Sequence, residues 1–211
     1  MPTLETARHW YPNTDPVHGF DHIERVYRTA ERLALAENAD LEIVHAAALL
    51  HDIEGSNPAG EERANHHHQS ADLAAEILRA EGWPDERIAA VQHCIRAHRF
   101  RDDREAPATI EAKVLFDADK LDVLGAIGVA RVIGYAVQAG QPIYAQPSVQ
   151  FLATGTDQPG EPHSAYHEHL FKLSKVKDRL FTASAQKIAA DRHAYLDAYF
   201  KRLIAEMDGS L

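Results

Sequence analysis

The sequence predicts an all-α fold, and three observations support that prediction. Apolar and small residues recur at helical spacing through most of the 211 residues. No segment keeps the strict alternation of apolar and polar residues that marks a half-buried strand. The run from Ala46 to Leu50 is apolar on every side, as expected of a helix at the centre of a bundle. We expect a single domain over residues 1–211, with a core at about 18–138, a loop at 139–163 and C-terminal helices at 164–206.

The predicted helices follow one another with short connections. A first helix over Asp21 to Asn38 keeps apolar residues on one face, and Asp40 is suited to cap the start of a second helix through Leu50. Gly55 is suited to end that second helix, because glycine readily takes the backbone conformation that closes helices. Further helices are expected over 69–81 and 85–98, from Thr109 through the 120s with a break or bend around Gly125 and Gly128, and as two long amphipathic helices within 164–206.

The segment 139–163 departs from the helical pattern and is rich in proline and glycine. Loops of this length within compact domains are often lids or binding loops. An ordinary surface loop would have the same composition, and the sequence does not decide between the two.

The overall charge argues against a polyanionic partner. The chain has 22 Lys and Arg against 32 Asp and Glu, a net charge of −10 with His neutral, whereas nucleic acids and anionic membranes are bound by positive surfaces. Cys94 is the only cysteine, which excludes an internal disulfide and a thiolate zinc site. No apolar run approaches the roughly 20 residues that span a bilayer. We expect a cytoplasmic monomer or homodimer whose partner is a small molecule, not a nucleic acid polymer or a membrane.

The stretch AAALLHDIEG, residues 46–55, places His51 and Asp52 directly after the most apolar run of the chain. An aspartate at a helix C-terminus faces the negative end of the helix dipole, which costs roughly 0.3–1 kcal/mol even at the surface. If the apolar turn draws Asp52 inward, the carboxylate needs a partner, because an unpaired buried charge is prohibitive. A divalent cation bound by both side chains meets that need. The alternative is a histidine that bonds the last helix carbonyls beside a solvated aspartate.

Two further segments offer potential ligands. His22 lies on the inward face of the first predicted helix, where it is either a ligand or an ordinary core histidine. The stretch KVLFDADKLDVLG places Asp119 and Asp122 on one helix face and Asp117 on the roughly opposite face. Two carboxylates on one face need a nearby cation, which is either a metal ion or Lys120.

Taken together, these helices provide two imidazoles and two carboxylates. That nitrogen and oxygen set favours one divalent ion, namely Mn²⁺, Mg²⁺, Fe²⁺, Co²⁺ or Ni²⁺, and it is also compatible with Zn²⁺. Four protein ligands would leave positions for water and substrate on an octahedral ion. The four residues are His22, His51, Asp52 and Asp119.

Four motifs surround these residues: HGFDHIERV, AALLHDIEG, AVQHCIRAHRF and LFDADKLDVLGAIGVAR. In this order they resemble the HD-domain superfamily of metal-dependent phosphohydrolases, and its small stand-alone bacterial members above all. The C-terminal stretch that begins YHEHLFKL is also similar, so the resemblance covers nearly the whole chain. It implies a single all-helical HD domain and places the metal ligands at His22, His51, Asp52 and Asp119.

The resemblance further implies attack of metal-activated water on a phosphorylated small molecule, with a nucleotide as the favoured substrate. The reaction would remove phosphate from a nucleoside monophosphate or release pyrophosphate from a (deoxy)nucleoside triphosphate. Some relatives carry an acidic residue three positions after the HD aspartate. Here that position is Gly55, which leaves Asp52 and the nearby Glu54 as the catalytic candidates. The candidates for substrate binding are Arg25, His93, His98, Lys120, Asp122 and Lys175.

Two alternatives to a hydrolase remain open. HD-fold di-iron oxygenases use extra histidines between the HD motif and the last aspartate, and the resemblance extends to them. A non-catalytic metal or nucleotide binder would keep the ligands but lack a base. The run His66 to His68 bears on the first alternative, although it also fits an exposed cluster at a helix start. The histidines in that interval are His66, His67, His68, His93 and His98.

Overall fold

Every regular element in the described part of the chain is helical. The computed structural model describes residues 2–11, 19–54, 66–99 and 105–211, and the all-α prediction is confirmed within them. The elements are α1 (Leu4–Arg8), α2 (Phe20–Glu37), α3 (Leu41–Leu50), α4 (His66–Ala80), α5 (Asp85–Ala97), α6 (Ile110–Leu121), α7 (Gly125–Gln138), α8 (Val149–Thr154), α9 (Ala165–Glu168), a π-helical turn (His169–Leu173), α10 (Ser174–Val176), a 3₁₀ turn (Lys177–Arg179) and α11 (Ala183–Met207).

Helix boundaries follow the capping residues that the sequence provides. The Asp40 carboxylate accepts hydrogen bonds from two backbone N–H groups in the first turn of α3. The Thr109 hydroxyl accepts one from the first turn of α6 in the same way. The break before α7 falls at Gly125, whose φ of +70° is a conformation that glycine adopts without strain. The predicted end of the second helix at Gly55 lies outside the described residues.

The structure differs from the prediction in three places. Helix α4 begins at His66 and not at residue 69. The predicted loop at 139–163 contains α8, which Ser148 caps through its hydroxyl. The first of the two C-terminal helices consists of short α, π and 3₁₀ segments, whereas α11 runs for 25 residues. Apolar periodicity misses such changes because the hydrogen-bond register alters while the same residues stay buried.

Two compact units make up the chain. The first contains residues 1–120 and 180–185, and the second contains 121–179 and 186–211. In the first unit, α3 packs against α2 and α5, and α4 packs against α5. The five residues from Ala46 to Leu50 are fully buried, as the prediction of a central helix requires. The C-terminal end of α3 therefore delivers its last side chains into the interior of this unit.

A buried carboxylate joins α6 to the segment before α11 within the first unit. Asp117 is fully buried and accepts hydrogen bonds from Phe181 N at 2.9 Å, Thr182 N at 2.7 Å and Thr182 Oγ1 at 2.6 Å. Burial raises the pKa of Asp117 despite these donors. These three hydrogen bonds give Asp117 a structural role, on the helix face away from Asp119.

In the second unit, α7 packs against α9, and Asp122 forms an ion pair with Arg131. Arg192 donates a hydrogen bond to the Leu121 carbonyl oxygen at 2.8 Å. That the two units form one HD domain over residues 1–211 stays a prediction.

Within the described ranges, no single helix is both long and apolar enough to cross a membrane. Helices α6 and α7 reach such a length and composition only when they are counted as a pair.

Candidate metal centre

Three helices of the first unit bring the four predicted ligands together. His22 lies on the buried face of α2 with Ile23 and Val26, and is 2% exposed. His51 is the C-cap of α3, so it and Asp52 continue directly from the buried apolar helix. Asp119 lies in the last turns of α6. We call His22, His51, Asp52 and Asp119 the HD cluster.

The side-chain atoms of the HD cluster lie within a few ångströms of one another. One ligand atom each from His22, His51 and Asp119 all lie within 4.8 Å of each other. His22 Nε2 is 3.5 Å from Asp119 Oδ1, and Asp52 Oδ2 is 3.6 Å from His51 Nε2 and 3.9 Å from His22 Nε2. These separations are longer than hydrogen bonds and suit groups that converge on a common point.

Buried polar atoms without partners show that the HD cluster fits a cation. His51 Nδ1 donates to the Ala48 carbonyl oxygen at 2.9 Å, which leaves His51 Nε2 with its lone pair directed into the cluster. His51 Nε2 is buried and has no hydrogen-bond partner in the described part of the chain; Asp52 Oδ1 is also unsatisfied, but it lies on the side of His66 and His98. Such atoms are rare because an unpaired buried polar group costs about 1–3 kcal/mol. The cluster could therefore hold a divalent metal ion.

Protonation states in the HD cluster also suit metal binding. Burial lowers the pKa of His51 to about 4, so its imidazole is neutral at pH 7. Burial alone would raise the pKa of Asp119, but the Lys120 ammonium and His22 hold it well below its ordinary value. The pKa of Asp52 is likewise well below its ordinary value, because the neighbouring imidazoles outweigh the effect of burial. A neutral imidazole at His51 and ionised carboxylates at Asp52 and Asp119 are the forms that bind metals.

A second set of side chains meets the other oxygen of Asp52. His66 Nε2 lies 3.2 Å from Asp52 Oδ1, and His98 Nε2 lies 3.4 Å from the same oxygen. Ligand atoms of Asp52, His66 and His98 also fall within 4.8 Å of one another. His98 thus lies at the site, and its role in substrate binding stays a prediction. Asp52 is shared between the two sets.

Of the two alternatives left open for His66 to His68, the exposed cluster does not apply to His66. His66 is buried at 6% exposure, His67 is half-buried and His68 is exposed. A sequence signal for this existed, because His66, Ser70 and Ala74 follow each other at helical spacing and all lie on the buried face of α4. It was missed because the helix was expected to begin three residues later.

The candidates for phosphate binding in the first unit divide into two kinds. Lys120 Nζ lies at the site, 2.6 Å from Asp119 Oδ2 and 3.2 Å from the His98 carbonyl oxygen. His93 belongs to neither set, since its Nδ1 contacts Glu105 at 2.8 Å and its Nε2 accepts from the Ala108 N–H at 3.1 Å. The α5 helix turns His93 and His98 in different directions, as their spacing of five residues predicts.

The remaining candidates have identified partners. Arg25 pairs with Asp21 one helical turn earlier at 2.5 Å, and the Glu54 side chain is exposed just beyond the HD motif. In the second unit, Asp122 pairs with Arg131, and Lys175 Nζ lies 5.0 Å from the centre of the Phe171 ring. Substrate binding by Arg25, His93, Asp122 and Lys175 stays a prediction.

Comparison with known proteins identifies the family. The family model described as "HD domain" matches residues 19–124, which include the complete HD cluster and every helix that carries it. The chain belongs to the HD domain family. Solved structures similar to it are described as HD superfamily hydrolases, so hydrolase activity is supported for the family.

Individual relatives match over almost the whole chain. The Bacillus subtilis protein YpgQ is 31% identical over 97% of this chain and 94% of its own length. The crystal structure of YpgQ in complex with ADP superposes with a TM-score of 0.73 at 29% identity, covering 98% of this chain and 99% of that chain. An HD-superfamily hydrolase from Bacillus thuringiensis superposes with a TM-score of 0.70 at 26% identity, covering 97% and 96%.

Proposed function

We propose that this protein is a metal-dependent phosphohydrolase that acts on a nucleotide, with one divalent ion held by His22, His51, Asp52 and Asp119. The observation that carries the proposal is the fully buried, unpaired Nε2 of His51, directed at two ionised carboxylates. The ion is Mn²⁺, Mg²⁺, Fe²⁺, Co²⁺ or Ni²⁺, with Zn²⁺ also compatible. When bound, such an ion supplies an activated water and a positive charge for the phosphoryl group.

The chain's own residues add charge and orientation at this site. Phosphoryl transfer depends mainly on positioning and on neutralising negative charge. The overall charge of −10 makes a local cation necessary, and Lys120 provides one beside Asp119 with 20% of its side chain exposed. A phosphate oxygen of the substrate is its expected partner. His98, whose Nε2 faces Asp52 at 3.4 Å, is the other substrate-binding candidate at this site.

Asp52 and Glu54 are the candidates for handling the proton of the attacking water. Asp52 has a pKa well below its ordinary value, which makes it a weak base but a good hydrogen-bond acceptor for orienting water. Glu54 lies two residues further on with an exposed side chain, and its backbone N–H donates to Ser70 Oγ at 3.2 Å. We assign orientation to Asp52 and proton removal to Glu54.

The nucleotide part of the proposal is supported by the ADP that was crystallised with YpgQ. Two reactions fit: phosphate removal from a nucleoside monophosphate and pyrophosphate release from a (deoxy)nucleoside triphosphate. The test is a panel of nucleoside mono-, di- and triphosphates with Mn²⁺, Mg²⁺, Co²⁺ and Ni²⁺ in turn, with phosphate and pyrophosphate measured separately. We expect metal-dependent release of one of these products.

A matched pair of variants tests the assignment of the site. Asp119→Asn removes a ligand charge, and Asp178→Asn makes the same change at an aspartate whose side chain is 68% exposed. Turnover should fall by more than about 100-fold in the first and stay unchanged in the second. Equal turnover in both variants would show that the HD cluster takes no part in the reaction.

One observation favours a second candidate function, the di-iron oxygenase. Asp52, His66 and His98 form a second group of potential ligands beside the HD cluster. Two irons per chain together with O₂ consumption would establish this function. It requires His66 to offer a lone pair to the second ion.

A further inference from the structure

Asp52 has two oxygens that face different histidines. Oδ2 faces the HD cluster, at 3.6 Å from His51 Nε2. Oδ1 faces His66 Nε2 at 3.2 Å and His98 Nε2 at 3.4 Å. A neutral imidazole has one donor nitrogen and one acceptor nitrogen. The position of the hydrogen in each ring therefore decides whether Oδ1 faces an N–H donor or shares a metal ion with a nitrogen lone pair.

Backbone carbonyls fix the proton position in two of these rings. His51 Nδ1 lies 2.9 Å from the Ala48 carbonyl oxygen, and His98 Nδ1 lies 2.5 Å from the Ile95 carbonyl oxygen. A carbonyl oxygen can only accept, so Nδ1 carries the hydrogen in both rings. In the neutral ring, each Nε2 then presents a lone pair on the side of the Asp52 carboxylate. This is the form of histidine that binds metals, with the far nitrogen held by a hydrogen bond.

His66 has the opposite arrangement. Its Nδ1 lies 2.7 Å from Nη1 of Arg99. A guanidinium can only donate, so His66 Nδ1 is the acceptor and the neutral ring carries its hydrogen on Nε2. That N–H faces Asp52 Oδ1 at 3.2 Å. For His66 to ligate a metal through Nε2, its Nδ1 would have to carry a hydrogen that pointed at the guanidinium.

We infer that His66 is a positioning residue, not a metal ligand, and that Arg99 keeps it in the form with hydrogen on Nε2. The His66 N–H faces Oδ1 of Asp52 and leaves Oδ2 as the oxygen that serves the HD cluster. The second group then retains one lone-pair nitrogen, on His98, and shares its single carboxylate with the HD cluster. The chain therefore holds one metal ion, and the Asp52, His66 and His98 group does not hold a second.

Charge supports the same conclusion. Arg99 places a guanidinium directly behind His66, and a guanidinium stays protonated at all accessible pH values. A second dication beside His66 would meet this fixed positive charge in a largely buried place, where repulsion is weakly screened. The HD cluster also has a positive charge beside it, at Lys120, but it offers its ion two carboxylates, those of Asp52 and Asp119.

The inference rests on the proposed metal site but does not depend on catalysis, so it is tested without measuring turnover. Nitrogen NMR of the full chain labelled with ¹⁵N-histidine reports which ring nitrogen carries hydrogen. Before metal is added, His51 and His98 should carry it on Nδ1, and His66 on Nε2. Hydrogen on Nδ1 of His66 would overturn the inference.

Metal counting in variants at Arg99 tests the role of that residue. The unmodified chain should bind one Mn²⁺ at saturation, measured by calorimetry and by the absence of a coupled two-ion signal in electron paramagnetic resonance. Arg99→Leu removes the hydrogen-bond donor, so this variant should bind a second Mn²⁺ more weakly than the first. The double variant Arg99→Leu with His66→Ala should lose that second ion. The Lys side chain in Arg99→Lys can donate a hydrogen bond but cannot accept one, so this variant should bind one ion.

The outcomes separate this inference from the proposed function. Two Mn²⁺ ions in the unmodified chain would overturn the inference and leave the HD cluster in place. One Mn²⁺ in Arg99→Leu would overturn the role given to Arg99. No Mn²⁺ in any variant would instead refute the metal site itself, and failed hydrolysis of every nucleotide with one ion bound would refute only the proposed reaction.

Discussion

Two clusters of histidine and carboxylate in this chain look alike by composition and differ in what their polar atoms already bind. The HD cluster lies in the first unit. A second cluster in the second unit, which we call the loop cluster, consists of Asp157, Glu161 and His167, and its ligand atoms also lie within 4.8 Å of one another. Both contain imidazole and carboxylate groups in the range that metal sites show.

The loop cluster is satisfied by its own backbone and side chains. Glu161 accepts hydrogen bonds from Ser148 N at 2.6 Å, Ser148 Oγ at 2.7 Å and Gln158 N at 2.7 Å, and it faces His167 Nε2 at 3.1 Å. His167 Nδ1 lies 2.7 Å from Ser164 Oγ. In the HD cluster, His51 Nε2 has no such partner among the described residues. Residue types and spacing therefore find both clusters, whereas the unsatisfied ligand nitrogen of His51 favours the HD cluster over the loop cluster as a place for a metal ion.

The largest effect should appear when a ligand is removed from each cluster in turn. Asp119→Asn should weaken Mn²⁺ binding by more than about 100-fold, since a ligand contributes more than the hydrogen-bond partners behind it, whose loss already weakens binding 10–100-fold. Glu161→Gln, the matched loss of one charge in the loop cluster, should leave the affinity unchanged. Calorimetric titration with Mn²⁺ measures both. A comparable loss in Glu161→Gln would make the loop cluster the metal site.

Metal should stabilise the fold through the HD cluster alone. An ion that binds only the folded chain stabilises it by about 2.7 kcal/mol at a concentration of 100 times its Kd. We expect Mn²⁺ to raise the melting temperature of the unmodified chain and of His167→Gln by the same amount. It should leave His51→Gln unchanged, because the buried lone pair is lost. Differential scanning calorimetry with and without a chelator measures the shift, and a shift that survives in His51→Gln would contradict the assignment.

The resemblance led us to expect that His22, His51, Asp52 and Asp119 come together, and short-range rules place the first three of them. His22 keeps the helical spacing of a buried face, and His51 and Asp52 end the most apolar helix. The separation of Asp117 from Asp119 was also predictable, since a spacing of two residues turns them to different faces of α6. Asp117 indeed binds the segment before α11, whereas Asp119 joins the HD cluster.

The partners on the other side of Asp52 were not predictable. His66 and Arg99 are 33 positions apart, and their contact depends on how α4 packs against the end of α5. Nothing in the sequence near either residue gives the ring orientation that decides which nitrogen carries hydrogen. Periodicity assigns a side chain to a face, but hydrogen-bond direction requires the packed neighbours.

The next largest effect is expected in the pH dependence of stability, to which Glu161 of the loop cluster should contribute as a structural carboxylate. Backbone N–H donation from Gln158, with that from Ser148, lowers the pKa of Glu161 to about 2 from an ordinary value of 4.5. A carboxyl whose pKa is lower in the folded state stabilises the fold above its ordinary pKa, and that contribution is lost as pH falls from about 4.5 towards 2. Without metal, the unmodified chain should be more stable than Glu161→Gln at pH 6, and the difference should shrink at pH 3. Urea unfolding at both values measures it, and a constant difference would show that the charge of Glu161 is not involved.

The smallest effect is expected at the exposed edge of the loop cluster. Asp157 pairs with His163 at 3.0 Å, and both side chains are more than a third exposed, at 36% and 38%. Exposed ion pairs contribute about 0–1 kcal/mol because water and salt screen them. Asp157→Asn should therefore change the free energy of urea unfolding by less than about 1 kcal/mol, and the difference should disappear at high salt. The Mn²⁺ count per chain should stay the same. Loss of a bound Mn²⁺ in Asp157→Asn would instead show that the loop cluster holds an ion despite the hydrogen bonds of Glu161. Satisfied polar atoms would then no longer distinguish the loop cluster from the HD cluster.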